Sequence, residues 1–260
     1  MIRSEAITES RLQEYLLLFQ ESFPHQKFSA EYLRWLYFDN PQGVVQGFDA
    51  IKDGKIISHY ACIPTRISNR NGVLSLNSVT LKKFRGLGLF SRLSGETFDK
   101  VSENYEFVIG VANSKSSDIF IHNLGFKCIG EMNLRFGDLL RSFEASKNWS
   151  ETDLNWLSKN PRRKIIVKKM NSRIYSVSSK LQSYGPKLKS LIVTSPVEEP
   201  LQLSNLKTYR ALTVDWRKDE KSKCQLPSTL KPSPLRIVLK QFQGLDLKIE
   251  SLSLFDFDLI

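Results

Sequence analysis

Apolar positions in the first forty residues recur at helical spacing, then give way to alternating or continuously apolar runs. Leu12, Tyr15, Leu16, Phe19 and Phe23 share one face of a helix predicted over residues 7–23, which Pro24 ends. Ser29 is placed to cap a second helix, Ala30 to Phe38. That helix stops before Asn40-Pro41, because the residue ahead of a proline is pushed out of helical geometry. Gly47 to Lys52 and Lys55 to Pro64 read as strands joined by a turn at Asp53-Gly54. Asn71-Gly72 reads as a second hairpin turn, leading into a strand Val73 to Leu81. An amphipathic helix follows (Leu89, Phe90, Leu93, Thr97, Phe98, Val101). After it come a strand Phe107 to Val111, a helical stretch Ser116 to Asn123 and a strand near Lys127 to Arg135. This order predicts an α/β (α+β) fold, a mixed central sheet with helices on both faces.

Beyond residue 138 the pattern is β-rich. A helix near Thr152 to Lys159 ends at Asn160-Pro161. Strand-like runs follow at Arg173 to Leu181, Lys187 to Thr194, Ala211 to Trp216, Leu235 to Phe242 and Ser251 to Ile260. Leu154, Trp156, Leu157 and Asn160-Pro161 echo Leu33, Trp35, Leu36 and Asn40-Pro41, one residue shorter. The echo and the repeated helix-then-strands order predict two units, 1–137 and 138–260, the second a degenerate copy of the first. Pro227, Pro232 and Pro234 read as a loop within the second unit, not as a linker.

Where the strand ending at Leu81 meets the helix starting at Leu89 stands Phe84-Arg85-Gly86-Leu87-Gly88-Leu89-Phe90. Two glycines permit a tight turn, the free N–H groups of the helix start point outward with the positive dipole end behind them, and Arg85 adds a fixed charge. Such a corner suits a phosphate or pyrophosphate. The spacing excludes a nucleoside-triphosphate loop, since no Gly-Lys-Ser/Thr follows. A dinucleotide fingerprint also fails: Ser91 occupies the third glycine site, and Glu103 and Glu106 precede the next strand instead of ending it.

The turn resembles the coenzyme A loop of the GNAT superfamily of acyl-CoA N-acyltransferases, written Arg/Gln-x-x-Gly-x-Gly/Ala. Arg85 and Gly88 match, and Phe90 departs at the last position. A second match follows at the family's distance: strand Phe107 to Val111, then Asn113, then Leu124-Gly125-Phe126. The resemblance covers roughly Ser29 to Arg135. It implies acetyl-CoA as acyl donor, with its pantetheine arm on main-chain groups of Ser78, Val79 and Thr80 and beside Asn113. Its pyrophosphate would lie at Arg85, Gly86, Leu87, Gly88, Leu89, Phe90 and Ser91. The second unit becomes, on this reading, a degenerate GNAT-like half that completes the acceptor pocket or covers one sheet face. The Gly-Leu-Phe-Ser variant with a Trp-x-x-x-x-Asn-Pro helix resembles a branch found beside surface-polysaccharide enzymes. An amino sugar, free or nucleotide-linked, is therefore the first acceptor that the resemblance suggests.

The family's proton-transfer side chains do not carry over. Its Tyr position falls at Ile121, beside Phe120, and its Glu position at Val108. His59 is a candidate base by its ordinary pKa, and Asn77 is a candidate to hold a water; His25 and His122 are further histidines near the site. A thiolate can leave near neutral pH without an acid. The rival reading is a non-catalytic acyl-CoA-binding or partner-docking module.

Charge narrows this little. A net charge of +11 suits an anionic ligand, but no nucleic-acid motif accompanies it, so no nucleic-acid partner is expected. Pro161-Arg162-Arg163-Lys164 reads as a solvated strand edge. Cys62, Cys128 and Cys224 match no metal spacing or disulfide framework, which predicts no metal site and reduced, buried thiols in a cytoplasmic protein. No membrane span and no signal peptide are expected.

Overall fold

A computed structural model describes residues 1–138, 149–170, 172–180, 187–194, 210–218, 235–242, 244 and 247–257. The strands in chain order are β1 (Arg3–Ala6), β2 (Gln46–Lys52), β3 (Lys55–Ile67), β4 (Arg70–Thr80), β5 (Phe107–Ala112), β6 (Lys127–Glu131) and β7 (Asn133–Asp138). They continue with β8 (Ile166–Lys169), β9 (Ile174–Lys180), β10 (Lys187–Val193), β11 (Arg210–Arg217), β12 (Arg236–Gln241) and β13 (Ser251–Ser253). The helices are α1 (Leu12–Ser22), α2 (Ala30–Tyr37), α3 (Leu89–Val101), α4 (Ser114–Asp118) and α5 (Glu151–Ser158).

The first sheet runs β1-β2-β3-β4-β5-β12-β6, with β4 and β5 its parallel pair. Alternation along β3 and β4 divides its two faces. Ala61, Ile63 and Leu74 meet Tyr15, Phe19, Tyr32, Leu33 and Leu36 of α1 and α2. Tyr60, Cys62 and Val73 meet Leu89, Leu93 and Phe98 of α3 on the other side.

The second sheet runs β13-β11-β10-β9-β8, with β7 also paired to β11. It repeats the first in outline. After α2 come antiparallel β2, β3 and β4, then parallel β5; after α5 come antiparallel β8, β9 and β10, then parallel β11. The sequence echo sits where the halves meet. Trp35 and Trp156 stack at 4.2 Å and 9°, and each indole N–H donates to the other's carbonyl, at 2.9 and 3.0 Å. Gln42 Nε2 reaches Asp153 Oδ1 at 2.6 Å, while Arg162, from the matching turn, lies over Tyr32. The tryptophan contacts are reciprocal, each indole meeting the other helix's backbone.

Several boundaries differ from the sequence reading. The units meeting at 137/138 exchange strands: β7 leaves the first for the second sheet, and β12 returns to the first between β5 and β6. The single strand expected near Lys127 to Arg135 is therefore two, split at buried Met132, whose N–H bonds the Leu235 carbonyl. The second hairpin turns at Ser68-Asn69, both at positive φ, not at Asn71-Gly72. Gly72 lies inside β4 because any Cβ there would overlap the Phe107 ring. The run from Ser251 ends as a 3-10 turn, Leu254–Phe257, and β1 has no pattern that announced it. Of the cysteines, Cys62 is buried but Cys128 is exposed. Leu181, Cys224, Pro227, Pro232, Pro234 and 258–260 lie outside the described residues. Among the described residues, no helix is long and apolar enough to cross a membrane.

Candidate functional site

The parallel ladder between β4 and β5 pairs Gly72 to Ser75 with Phe107 to Gly110 and then stops. A bulge causes the parting. Between the His59–Val79 and Ala61–Leu76 pairs, β4 carries an extra residue at Asn77, whose φ is +50°. A left-handed residue in a bulge bends the strand and strengthens its twist. Beyond it β4 swings away from β5 and opens a cavity of about 610 Å³. Asn77, Ser78, Val79 and Thr80 line it, as do Arg85, Phe90 and Asn113. Arg162 and Arg163 line it together with Gln26, Phe28 and Tyr32. Those aromatic residues pack with α1 and α2, whereas Phe90 and Phe120 pack with α3. The cavity thus joins the two faces of the sheet through the split.

The glycine corner is open. Gly86 and Gly88 sit at φ +82° and +69°, and a Cβ built on either meets nothing within 4 Å. Gly88 is the N-cap of α3, and no side chain caps that helix. The N–H groups of Leu89, Phe90 and Ser91 are the first-turn donors that a helix cannot satisfy internally. The Leu89 side chain is buried, Leu87 is exposed, and the Phe90 ring meets Tyr60 and Phe120 edge-to-face at 5.5 and 5.7 Å. Arg85 Nε donates to the Thr80 carbonyl at 3.1 Å, which ties the turn to the end of β4. The Val79 carbonyl accepts from Ser58 Oγ at 3.0 Å. Asn113 Oδ1 accepts from Ser116 N at 3.0 Å and so caps α4.

His59 does not line the cavity. It is 1% exposed, enclosed by the rings of Tyr15, Phe19 and Tyr37. A hydrogen-bonded chain links it to the cavity lining. Asn77 Nδ2 donates to Tyr37 Oη at 3.3 Å, so the single Tyr37 proton goes to His59 Nε2 at 3.0 Å. His59 Nδ1–H then donates to Asp49 Oδ1 at 2.6 Å, and Tyr15 Oη–H donates to Asp49 Oδ2 at 3.0 Å. Burial, with Asp49 adding to it, pushes the Tyr37 hydroxyl well above the usual phenol value, so Tyr37 stays protonated. The sequence pointed to His59 and Asn77 as candidates but not to Asp49 and Tyr37, which join them through tertiary packing.

On the α4 side, the helical stretch divides into α4 and a π-helical turn, Ile119–Asn123. Ile119 and Phe120 line the cavity, Ile121 is half-buried, and His122 and His25 are exposed outside its lining. No hydroxyl stands at the tyrosine position. Arg162 and Arg163, expected in solvent, line the cavity because Asn160 Oδ1 accepts both their N–H groups, at 2.9 and 3.1 Å, and folds the turn inward. The repeated Asn-Pro was the signal that could have placed them there. Among the described residues no cluster of His, Cys, Asp and Glu could hold a metal ion.

No protein-family model and no curated protein sequence matches the chain. Among solved structures it is similar to a GCN5-related N-acetyltransferase from Kribbella flavida at 11% identity, with 93% of this chain and 71% of that one covered and a TM-score of 0.57. A GCN5-related N-acetyltransferase from Anabaena variabilis matches at 9% identity, 93% and 73% coverage and TM-score 0.56. A conserved Enterococcus faecalis protein of unknown function matches at 7%, 93% and 73%, and 0.58. The covered length takes in both sheets. The chain therefore has the fold of the GCN5-related N-acetyltransferases, carried through two mixed sheets.

Proposed function

We propose that this protein is an acyl-CoA-dependent N-acyltransferase that carries an acetyl group to a primary amine of a small molecule. One observation carries this reading: the cavity opened where β4 parts from β5 is also lined by Arg85 and Phe90, which flank the uncapped, glycine-turned start of α3. Gly86 to Leu89 and Ser91 themselves lie outside its lining. Acetyl-coenzyme A, when bound, supplies an activated thioester. The N–H groups from Gly86 to Ser91 suit its diphosphate, Arg85 adds charge, and the exposed edge of Ser78 to Thr80 offers main-chain partners to an extended arm. Asn113 stands at the rim near that arm. In direct transfer the amine nitrogen bonds to the acyl carbon, the carbon–sulfur bond breaks, and the amine's proton leaves to water or thiolate.

Asn77 lines the cavity at the bulge, and its Nδ2 is held by Tyr37. Its Oδ1 is left to accept from the incoming amine or a bridging water. His59 acts behind it, through Tyr37, as a positioning residue and not as the base. An amino sugar is the first acceptor to test. Calorimetry should show coenzyme A binding to the wild type, weakened at least ~100-fold by Gly88→Trp, which blocks the corner. Absence of wild-type binding would sink the assignment. The second reading, a binding module without turnover, draws on Ile121, Val108 and the enclosure of His59. Coenzyme binding with no thiol release across an amine panel would establish it instead.

A further inference from the structure

Among the described residues, those lining the cavity include three arginines and no aspartate or glutamate. Arg85 belongs to the α3 corner. Arg162 and Arg163 enter from the second half, beside the α1–α2 side of the sheet. The Arg162 guanidinium lies over the rings of Phe28 and Tyr32, at 5.2 and 5.3 Å, and donates to Gln26 Oε1 at 3.4 Å. Ring faces and a neutral amide hold the planar group in place without cancelling its charge. The Asn160 turn fixes the backbone of both arginines. In the first half, the position matching Arg162 is Gln42, which is turned to Asp153 and away from the cavity.

We propose that this end of the cavity binds an oxyanion, a carboxylate or a phosphate, carried by the amine acceptor. The inference rests on the acyl-transfer reading for the word acceptor; the anion site itself does not. A cationic amine meets like charge here, with no carboxylate among the described residues of the lining to receive it. An amine that brings its own oxyanion cancels that repulsion and gains charge-assisted, fork-shaped contacts. Simple polyamines are excluded as substrates.

The test is calorimetric titration of the full chain, with and without saturating coenzyme A, by two matched pairs. These are β-alanine against β-alaninamide, and glucosamine 6-phosphate against glucosamine. The oxyanion-bearing member of at least one pair should bind roughly tenfold to a hundredfold tighter than the partner that lacks the oxyanion. Which pair shows the preference separates carboxylate from phosphate. Arg162→Gln and Arg163→Gln should each erase about tenfold of it, and Arg162→Lys should restore only part, lacking the fork. Raising sodium chloride from about 50 to about 300 mM should weaken the oxyanion-bearing ligand and narrow the preference within its pair, a readout that needs no variant. Equal affinity within both pairs, no binding of any of the four, or a preference untouched by the double glutamine variant overturns the proposal. Loss of coenzyme A binding alone fells the acyltransferase reading and leaves the anion site standing.

Discussion

Helices α2 and α5 are built alike and used differently. Ser29 caps one and Ser150 the other, a tryptophan in each stacks on its counterpart, and each ends in an Asn-Pro turn whose asparagine accepts backbone N–H groups. After α2 the chain proceeds to β4, its bulge and the open glycine corner. The β-strands after α5 lead to no matching glycine turn in the sequence, and this half instead sends two arginines across the interface. The two segments thus share an outline of helix and strands and differ in what they bring to the cavity: the first opens it and the second lends it two arginines. The differences lie in loops, where changes cost least, while the packed helix starts share their pattern.

The comparison breaks hardest at the stacked tryptophans. Trp156→Ala should cost about 3–5 kcal/mol in chemical denaturation, as large aromatic truncations do. In a double-mutant cycle with Trp35→Ala the two losses should fall short of additivity by about 1 kcal/mol or more. Full additivity would mean that the halves do not stabilise each other there.

Alkaline pH tests the first half by itself. Burial pushes Cys62 up to about 12 and raises the Tyr37 and Tyr60 hydroxyls well above the usual phenol value. The folded chain then keeps protons that the unfolded chain releases, so their contribution is complete below the unfolded pKa values and is lost as pH rises through the folded ones. Melting temperature should hold to about pH 8.5 and then fall, with roughly 2–3 kcal/mol lost by about pH 10.5 from Cys62 alone. Cys62→Ala should flatten the onset of that fall. An unchanged profile would mean that the thiol is not where the core places it.

Gly130→Ala sharpens the contact between sheets. Any Cβ on Gly130 of β6 would overlap the Trp216 indole of β11, so overpacking of about 1–3 kcal/mol is expected. Pairing it with Trp216→Phe, which offers more room, should recover part of that loss. Smallest are the caps. Ser29→Ala should cost ~1 kcal/mol, and Ser150→Ala somewhat more, because Ser150 forms a reciprocal box with Asp153 that Ser29 lacks. Equal costs for the two would contradict that difference.

What could be read from the residues alone divides along the same physical line. Helices with a capping serine and a proline stop, the Asp53-Gly54 turn and the glycine corner are local devices, and each was legible. So was the internal echo, because Trp35 and Trp156 answer to the same packing demand. The neighbours of β12 were not legible, since nothing in Arg236–Gln241 names a partner 100 or more residues away. Nor was the role of His59. Its isolated pKa suggested a base, but only tertiary packing reveals the aromatic enclosure and the Asp49–Tyr37 chain. The arginines at 162 and 163 looked like solvated charge because a strand edge and a cavity wall can carry identical residues; Asn160 decides between them.

One strand has a consequence for the order in which this molecule can be made. β12 fills the gap between β5 and β6, yet it leaves the ribosome more than a hundred residues after they do. Until then a nascent chain holds two unpaired ladder edges facing an empty slot, an invitation to foreign strands or to neighbouring chains on the same message. Biogenesis of the first half is accordingly hostage to translation of the last, and a premature stop shortly before Arg236 would release an adhesive product rather than a smaller version of the protein.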